Sequence, residues 1–264
     1  MRVGFLQLDV SRDARQTFDC LEQFLRRQPC ELVVLPELSL CGYLFESRAQ
    51  LCACAQPVPA GSFTQQMRAL SQQYGCTLVF GLAERDADRV YNTAVVVSKG
   101  RYVGKYRKIH LSDFEKKLFD RGGENRVFEV DGLTLGVQIC FDLWFPEMSR
   151  EQLRQGADLF CVLANFGGEM SYHITRVRAA ENAAPLVLCN RVGQESIPGM
   201  EAEFLGKSTA VDAAGNRIWT APAGKPAFGV CRVEIPKGRS NVICSDLARE
   251  IAFHQTEHKQ TGAG

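Results

Sequence analysis

Several short runs in this chain are apolar at every residue, among them Leu32-Val33-Val34-Leu35, Leu159-Phe160-Cys161-Val162-Leu163 and Leu186-Val187-Leu188-Cys189. A strand with no polar side must be covered on both faces, which favours a sheet packed between other layers. Amphipathic stretches lie between such runs; residues 13–27 place Phe18, Leu21 and Leu25 on one helical face. A second helix is expected from Ser62 as N-cap, carrying Phe63, Met67 and Leu70 inward. Further strands are expected at 2–9, 76–81, 90–98 and 101–106, with Gly100 as the last turn. Residues 108–125, containing Gly122-Gly123, read as a long loop with a helical turn. A hairpin then turns at Asp131-Gly132 between 127–130 and 133–139. A helix at 146–155, a strand at 158–163, a helix at 171–183 and a strand at 185–190 follow. Beyond Gly193 the expectation is β structure near 205–212, 216–220 and 226–233. The alternation defines an α/β protein, read as one domain over 1–264 with a C-terminal tail from about 246.

Composition narrows the function classes. The 31 basic and 30 acidic side chains leave a formal charge of +1, so no global field draws nucleic acid or an anionic membrane. No apolar run reaches the roughly 18–20 residues of a membrane span. The opening residues Met1 to Leu8 alternate into Asp9 and read as a strand, not a secretion signal, so a cytoplasmic location is expected. The eleven cysteines are an odd number, with no Cys-x-x-Cys pair, and argue against a disulfide framework or a zinc site. Most sit in apolar runs and read as small core residues.

Chemistry in α/β folds gathers just past the carboxyl ends of strands. Leu32-Val33-Val34-Leu35-Pro36 delivers Glu37, and Leu135-Gly136-Val137-Gln138-Ile139 delivers Cys140. Gly136 in that strand and Pro146 at the next helix start suggest a sharp strand-to-helix turn under Cys140. Lys108 stands where a strand gives way to the long loop. Each has a plain alternative taken singly: a solvated carboxylate, one more buried cysteine, a basic loop residue.

Together, Leu35-Pro36-Glu37-Leu38-Ser39-Leu40-Cys41-Gly42-Tyr43, Tyr106-Arg107-Lys108-Ile109-His110-Leu111 and the segment from Gly136 through Cys140 to Glu147 resemble the signature blocks of the nitrilase superfamily, the carbon–nitrogen hydrolases. Downstream, Arg178-Ala179-Ala180-Glu181-Asn182, Asn190-Arg191-Val192-Gly193 and Phe204-Leu205-Gly206-Lys207-Ser208 extend the likeness over nearly the whole chain. The resemblance implies a four-layer α-β-β-α sandwich and catalytic roles for Glu37, Lys108 and Cys140. It also implies a second acid near the lysine, with Glu115 the candidate and Asp113 the fallback.

The reaction so implied is hydrolysis of a small amide or N-carbamoyl compound through a Cys140 thioester, without metal or organic cofactor. Glu37 would be the general base, and the Lys108 ammonium with the Phe141 N–H would hold the oxyanion. Tyr43, Phe141, Trp144, Asn165 and Phe166 are the residues expected to face substrate. Phe141-Asp142 after the cysteine, in place of the Trp-Glu of true nitrilases, leans toward an amidase. An aromatic Trp144, where relatives acting on dicarboxylate monoamides carry Arg, weakens the case for a carboxylate-bearing substrate. A nitrile-hydrolysing enzyme and a non-catalytic binding or assembly relative are the alternatives. The resemblance also implies a homodimer or higher homo-oligomer, with 146–155 (Phe145, Met148, Leu153) and 171–183 (Ile174, Val177, Ala180) as contact elements.

Overall fold

The computed structural model describes residues 1–238, 240 and 244–257, the last four of these by backbone alone. In chain order its elements are β1 (Arg2–Gln7), α1 (Ala14–Arg27), β2 (Leu32–Val34), α2 (Arg48–Cys54), α3 (Ser62–Gln73), β3 (Thr77–Asp86), β4 (Arg89–Ser98) and β5 (Arg101–Arg107). Then follow β6 (Val127–Val130), β7 (Leu133–Ile139), α4 (Pro146–Arg154), β8 (Leu159–Ala164), α5 (Met170–Asn182) and β9 (Leu186–Asn190). The chain continues through β10 (Val192–Ile197), β11 (Met200–Leu205), β12 (Thr209–Val211), β13 (Arg217–Thr220), β14 (Ala227–Arg232) and α6 (Leu247–Glu257).

Two six-stranded sheets result, ordered β14-β1-β2-β3-β4-β5 and β13-β12-β9-β8-β7-β6. Each has a parallel centre, β1-β2-β3 in one and β7-β8-β9 in the other, flanked by antiparallel strands. The sheets face each other through one apolar core containing Phe5, Val34, Val79 and Val96 from the first and Val137, Ile139 and Leu163 from the second. The opposite face of the first sheet, with Val33, Leu35, Leu78 and Phe80, is covered by Leu21 and Phe24 of α1 and Met67 of α3. Met148 and Leu153 of α4 and Ala179 of α5 pack with the second sheet. The layers are therefore α-β-β-α. The fully apolar strands are the central ones, as their composition demands.

Helix starts follow local chemistry. Asp13 caps α1 by accepting the N–H of Arg15, and Pro146 occupies the first turn of α4, where a missing N–H costs nothing. Absent from the sequence expectation are α2, the β10–β11 hairpin turning at Pro198-Gly199, and α6. The tail expected from about 246 contains α6 in its described part, and 258–264 lie outside the described residues. No helix among the described residues is long and apolar enough to cross a membrane.

Candidate active site

Parallel strands end at a common edge, and this topology brings the sequence-predicted residues together. Glu37 lies just past β2 and Cys140 follows β7. Since β5 is two antiparallel steps from β3, it runs in the same direction and ends at that edge too, delivering Lys108. Lys108 Nζ donates to Glu37 Oε1 at 2.7 Å and to Glu115 Oε1 at 2.6 Å, and all three residues are buried. Asp113 points into solvent and pairs with Lys116 at 2.7 Å, so Glu115 is the acid beside the lysine.

The backbone around these groups is tightly specified. Leu38, next to Glu37, and Cys140 itself adopt left-handed conformations with φ of 48° and 51°. A non-glycine residue there costs of order 1–2 kcal/mol and persists only where surrounding structure imposes it. The Glu37 turn crosses β3 so closely that a Cβ on Gly81 would lie 2.4 Å from the Leu38 nitrogen. Gly122 closes the long loop the same way. Its N–H donates to Lys108 O at 2.9 Å, and a Cβ there would come within 2.0 Å of Arg107 O.

The electrostatics divide the labour. Burial works against the Lys108 ammonium, but Glu115 and Glu37 outweigh it and hold the amine well above its usual range. Burial raises Glu37 above the usual carboxylate range despite the Lys108 charge. Burial opposes ionisation of Glu115 as well, yet Lys108 and the N–H of Ser112, donated at 2.9 Å, keep it low. The Cys140 thiol is pushed well up by burial and by Glu37, against the pull of Lys108 and the backbone N–H of Asn165. At rest the sulfur is protonated, the lysine is charged and Glu37 is the more basic carboxylate. Glu37 Oε1 is filled by Lys108 and by Asn92 Nδ2 at 2.6 Å, whereas Oε2 is buried with no hydrogen-bond partner.

Side chains that sequence reasoning did not single out hold these groups in register. Asn92 of β4 donates to Glu37 Oε1 and, at 3.2 Å, to Glu115 Oε1. Asp142 accepts from Tyr106 Oη at 2.7 Å, Ile139 N at 3.1 Å and His110 N at 2.9 Å, joining the Lys108 segment to the Cys140 turn. Arg178 donates to Leu143 O at 2.9 Å and Trp144 O at 3.1 Å, fixing that turn to α5. Asn190 exchanges hydrogen bonds with both backbone groups of Phe166, at 2.8 and 2.9 Å, and so sets the Asn165 loop. Glu195, on the hairpin, accepts from Tyr43 N and Leu44 N and pairs with buried Arg191. One signal was available: a polar Asn92 within the buried strand Val90-Tyr91-Asn92-Thr93-Ala94-Val95 has to have a partner.

The residues expected to face substrate divide. Tyr43 lies within the field of Glu115, Lys108 and Cys140, and burial with the Glu115 charge pushes its phenol well up. Asn165 is buried with both side-chain polar atoms unpaired, and Phe166 is buried beside it. Phe141 is half-buried and contacts Trp144 and Phe145. Trp144 is turned outward, 42% exposed, with its indole N–H donated to Ser171 of α5. Tyr172, not anticipated, is close enough to Cys140 to couple with its ionisation, and it donates to Gly206 O at 2.5 Å. Among the described residues, no three His, Cys, Asp or Glu side chains are grouped as metal ligands would be.

A doubled sheet sandwich with this polar cluster buried at its strand ends defines a hydrolase of the α-β-β-α class. The chain belongs to the carbon–nitrogen hydrolase family, whose profile matches residues 2–240. It is 37% identical over 234 residues to a Pyrococcus abyssi protein named nitrilase, covering 86% of this chain and 88% of that one. It is 32% identical over 228 residues to an (R)-stereoselective amidase of a Pseudomonas species, covering 84% and 81%. The crystal structure of a carbon–nitrogen hydrolase from Helicobacter pylori G27 superposes with a TM-score of 0.76 at 26% identity, covering 97% of this chain and 93% of that one.

Proposed function

We propose that this chain hydrolyses the C–N bond of a small carboxamide through a thioester on Cys140. The observation that carries the reading is the unpaired Glu37 Oε2, buried next to a lysine that donates to two carboxylates and keeps its third N–H for the substrate. An unmet buried oxygen costs about 1–3 kcal/mol, and receiving the proton of a buried thiol gives it a use. As Cys140 Sγ attacks the carbonyl carbon, its proton passes to Glu37. The oxyanion that forms is held by the Lys108 ammonium and the Phe141 N–H, donors worth roughly 3–4 kcal/mol each in hydrolases. Glu37 returns the proton to the departing nitrogen, the C–N bond breaks, and ammonia or an amine leaves the acyl group on sulfur.

Water then attacks the thioester, giving one proton to Glu37. Collapse of the second tetrahedral intermediate releases the acid and the Cys140 thiolate, which recovers its proton from Glu37. Lys108 cannot be the base, because two carboxylates hold its proton. Glu115 keeps the ammonium aimed and charged.

The kinship to a protein named nitrilase supports a second reading, in which the same thiol attacks a nitrile. Relatives named N-carbamoylputrescine amidase, 27% identical in Solanum lycopersicum, support the carbamoyl variant of the first. Ammonia release from butyramide, butyronitrile and N-carbamoyl amines separates these readings. The amide is expected to react fastest, and Cys140→Ala is expected to release nothing. Release by a folded Cys140→Ala protein would overturn the mechanism, and silence across the whole panel would favour a non-catalytic relative.

A further inference from the structure

The charge balance at the site carries a statement about the substrate. Lys108 supplies one positive charge and Glu115 one negative, so the cluster carries a net −1 with Glu37 ionised and zero with it protonated. It is never positive. Among the described residues, the cations on the segments flanking the site are engaged: Arg12 with Leu44 O, Arg191 with Glu195 and Val10 O, Arg178 with Glu181 and two backbone carbonyls, Lys207 with Glu169. The His110 ring is occupied by Asp142 at 3.0 Å. None of these faces Cys140 with an uncommitted charge.

The remaining surroundings are aromatic. Tyr43, which shares the field of Cys140, meets Phe204 edge-on at 5.8 Å and Phe114 at 6.1 Å. Buried Phe166 and half-buried Tyr172 stand on the Asn165 side. The polar atoms left without partners there are the amide oxygen and nitrogen of Asn165, which suit a neutral group such as another amide.

We propose that the site selects amides whose acyl portion carries no anionic group, and that it rejects monoamides of dicarboxylic acids. This rests on the amide-hydrolase reading above. A carboxylate entering here would leave water for a low-dielectric space without net positive charge, where the Lys108 ammonium is committed to two carboxylates and the reacting carbonyl, the costliest way to bury an ion. A neutral acyl chain loses nothing and covers the rings.

The test compares butyramide, succinamic acid and methyl succinamate by ammonia release from the full chain near neutral pH. Succinamic acid and its ester differ in one charge. The expected result is turnover of butyramide and the ester, with kcat/KM for the acid lower by at least about thirtyfold; any smaller gap overturns the charge selection. Ammonia from none of the three would instead overturn the amide-hydrolase reading on which it rests, a different result from an acid that is cleaved well. A second arm uses Glu169→Gln, which frees Lys207 beside the Tyr172 ring. Succinamic acid should then gain roughly threefold to tenfold in kcat/KM while butyramide stays unchanged. No gain would overturn the account in which engaged cations cause the selection.

Discussion

Asp142 Oδ1 accepts both the backbone N–H of His110, at 2.9 Å, and its ring Nδ1, at 3.0 Å, so the residue two past Cys140 is joined to the residue two past Lys108. The contact spans the two sheets, with Lys108 following β5 in one and Cys140 following β7 in the other. The His110 ring also stacks on Phe145 with centroids 3.6 Å apart, which closes the joint from the side. Because a carboxylate faces Nδ1, that nitrogen carries a hydrogen.

Asp142→Asn should therefore separate lysine from sulfur without removing either. The amide must turn at least one N–H toward a donor, which leaves buried groups unmet at about 1–3 kcal/mol each. We expect a lower melting temperature and a fall in kcat of roughly tenfold to a hundredfold, the scale of an ångström-level misplacement. Wild-type kcat in a folded Asp142→Asn protein would show that the joint does not set the site.

The left-handed turn at residue 140 gives a second test. Cys140→Gly removes the Cβ crowding that Cys140→Ala retains at φ 51°. Both variants should be inactive, with the glycine form more stable by about 1 kcal/mol. Equal denaturant midpoints would mean the turn stores no strain.

The pH profile follows from the directions already described. Glu37 must be ionised to accept the thiol proton and is raised above the usual carboxylate value by burial. Activity should therefore fall on the acid side with a midpoint above about 4.3. Asn92 donates to the ionised form and pulls the value down, so Asn92→Ala should move this limb to higher pH. A limb moving to lower pH, measured on kcat/KM, would contradict the role given to Glu37.

Glu195 tests the hairpin. Glu195→Ala strips the carboxylate from a fully buried Arg191 and leaves the N–H groups of Tyr43 and Leu44 without their acceptor. The expected loss is about 3–5 kcal/mol, or roughly 10 °C in melting temperature, with KM raised in Glu195→Gln as Tyr43 loosens. A melting temperature within a degree or two of wild type would refute the anchor.

Assembly is the last prediction, and the structure revises its details. Met148 and Leu153 of α4 are buried in the chain's own core, so they are not available as contact residues. Val177, one of the expected contact residues, is 51% exposed and shares a face of α5 with Met170 at 58%, with Trp144 beside the first turn of that helix. We propose that a homodimer forms through this face and sediments at about twice the mass of one chain. Val177→Asp should release single chains; a wild type that sediments as one chain at micromolar concentration would remove the proposal.

What the sequence alone determined was where chemistry could leave the sheets. Leu32 to Leu35 and Leu133 to Ile139 are long and apolar enough to be core strands, so Glu37 and Cys140 had to emerge at strand ends whatever the topology. The patterns of α1, α3 and α4 were equally local, whereas α5 buries Ser171, Thr175, Arg178 and Asn182 and exposes Val177, a face its apolar spacing does not show. Proximity was another matter. Glu37 and Lys108 are 71 residues apart and meet because β5 runs parallel to β3, a property of strand order that no local window contains. Asn92, Asp142, Asn190 and Glu195 gain their roles only from partners on other elements, so their own neighbourhoods carry little sign of them. The β10–β11 hairpin had a visible turn in Pro198-Gly199, but its exposed polar strands carry a weak apolar pattern. The protonation pattern was decided last and only by the fold, since one lysine between two carboxylates and a buried thiol acquires its order of basicity from burial and distance.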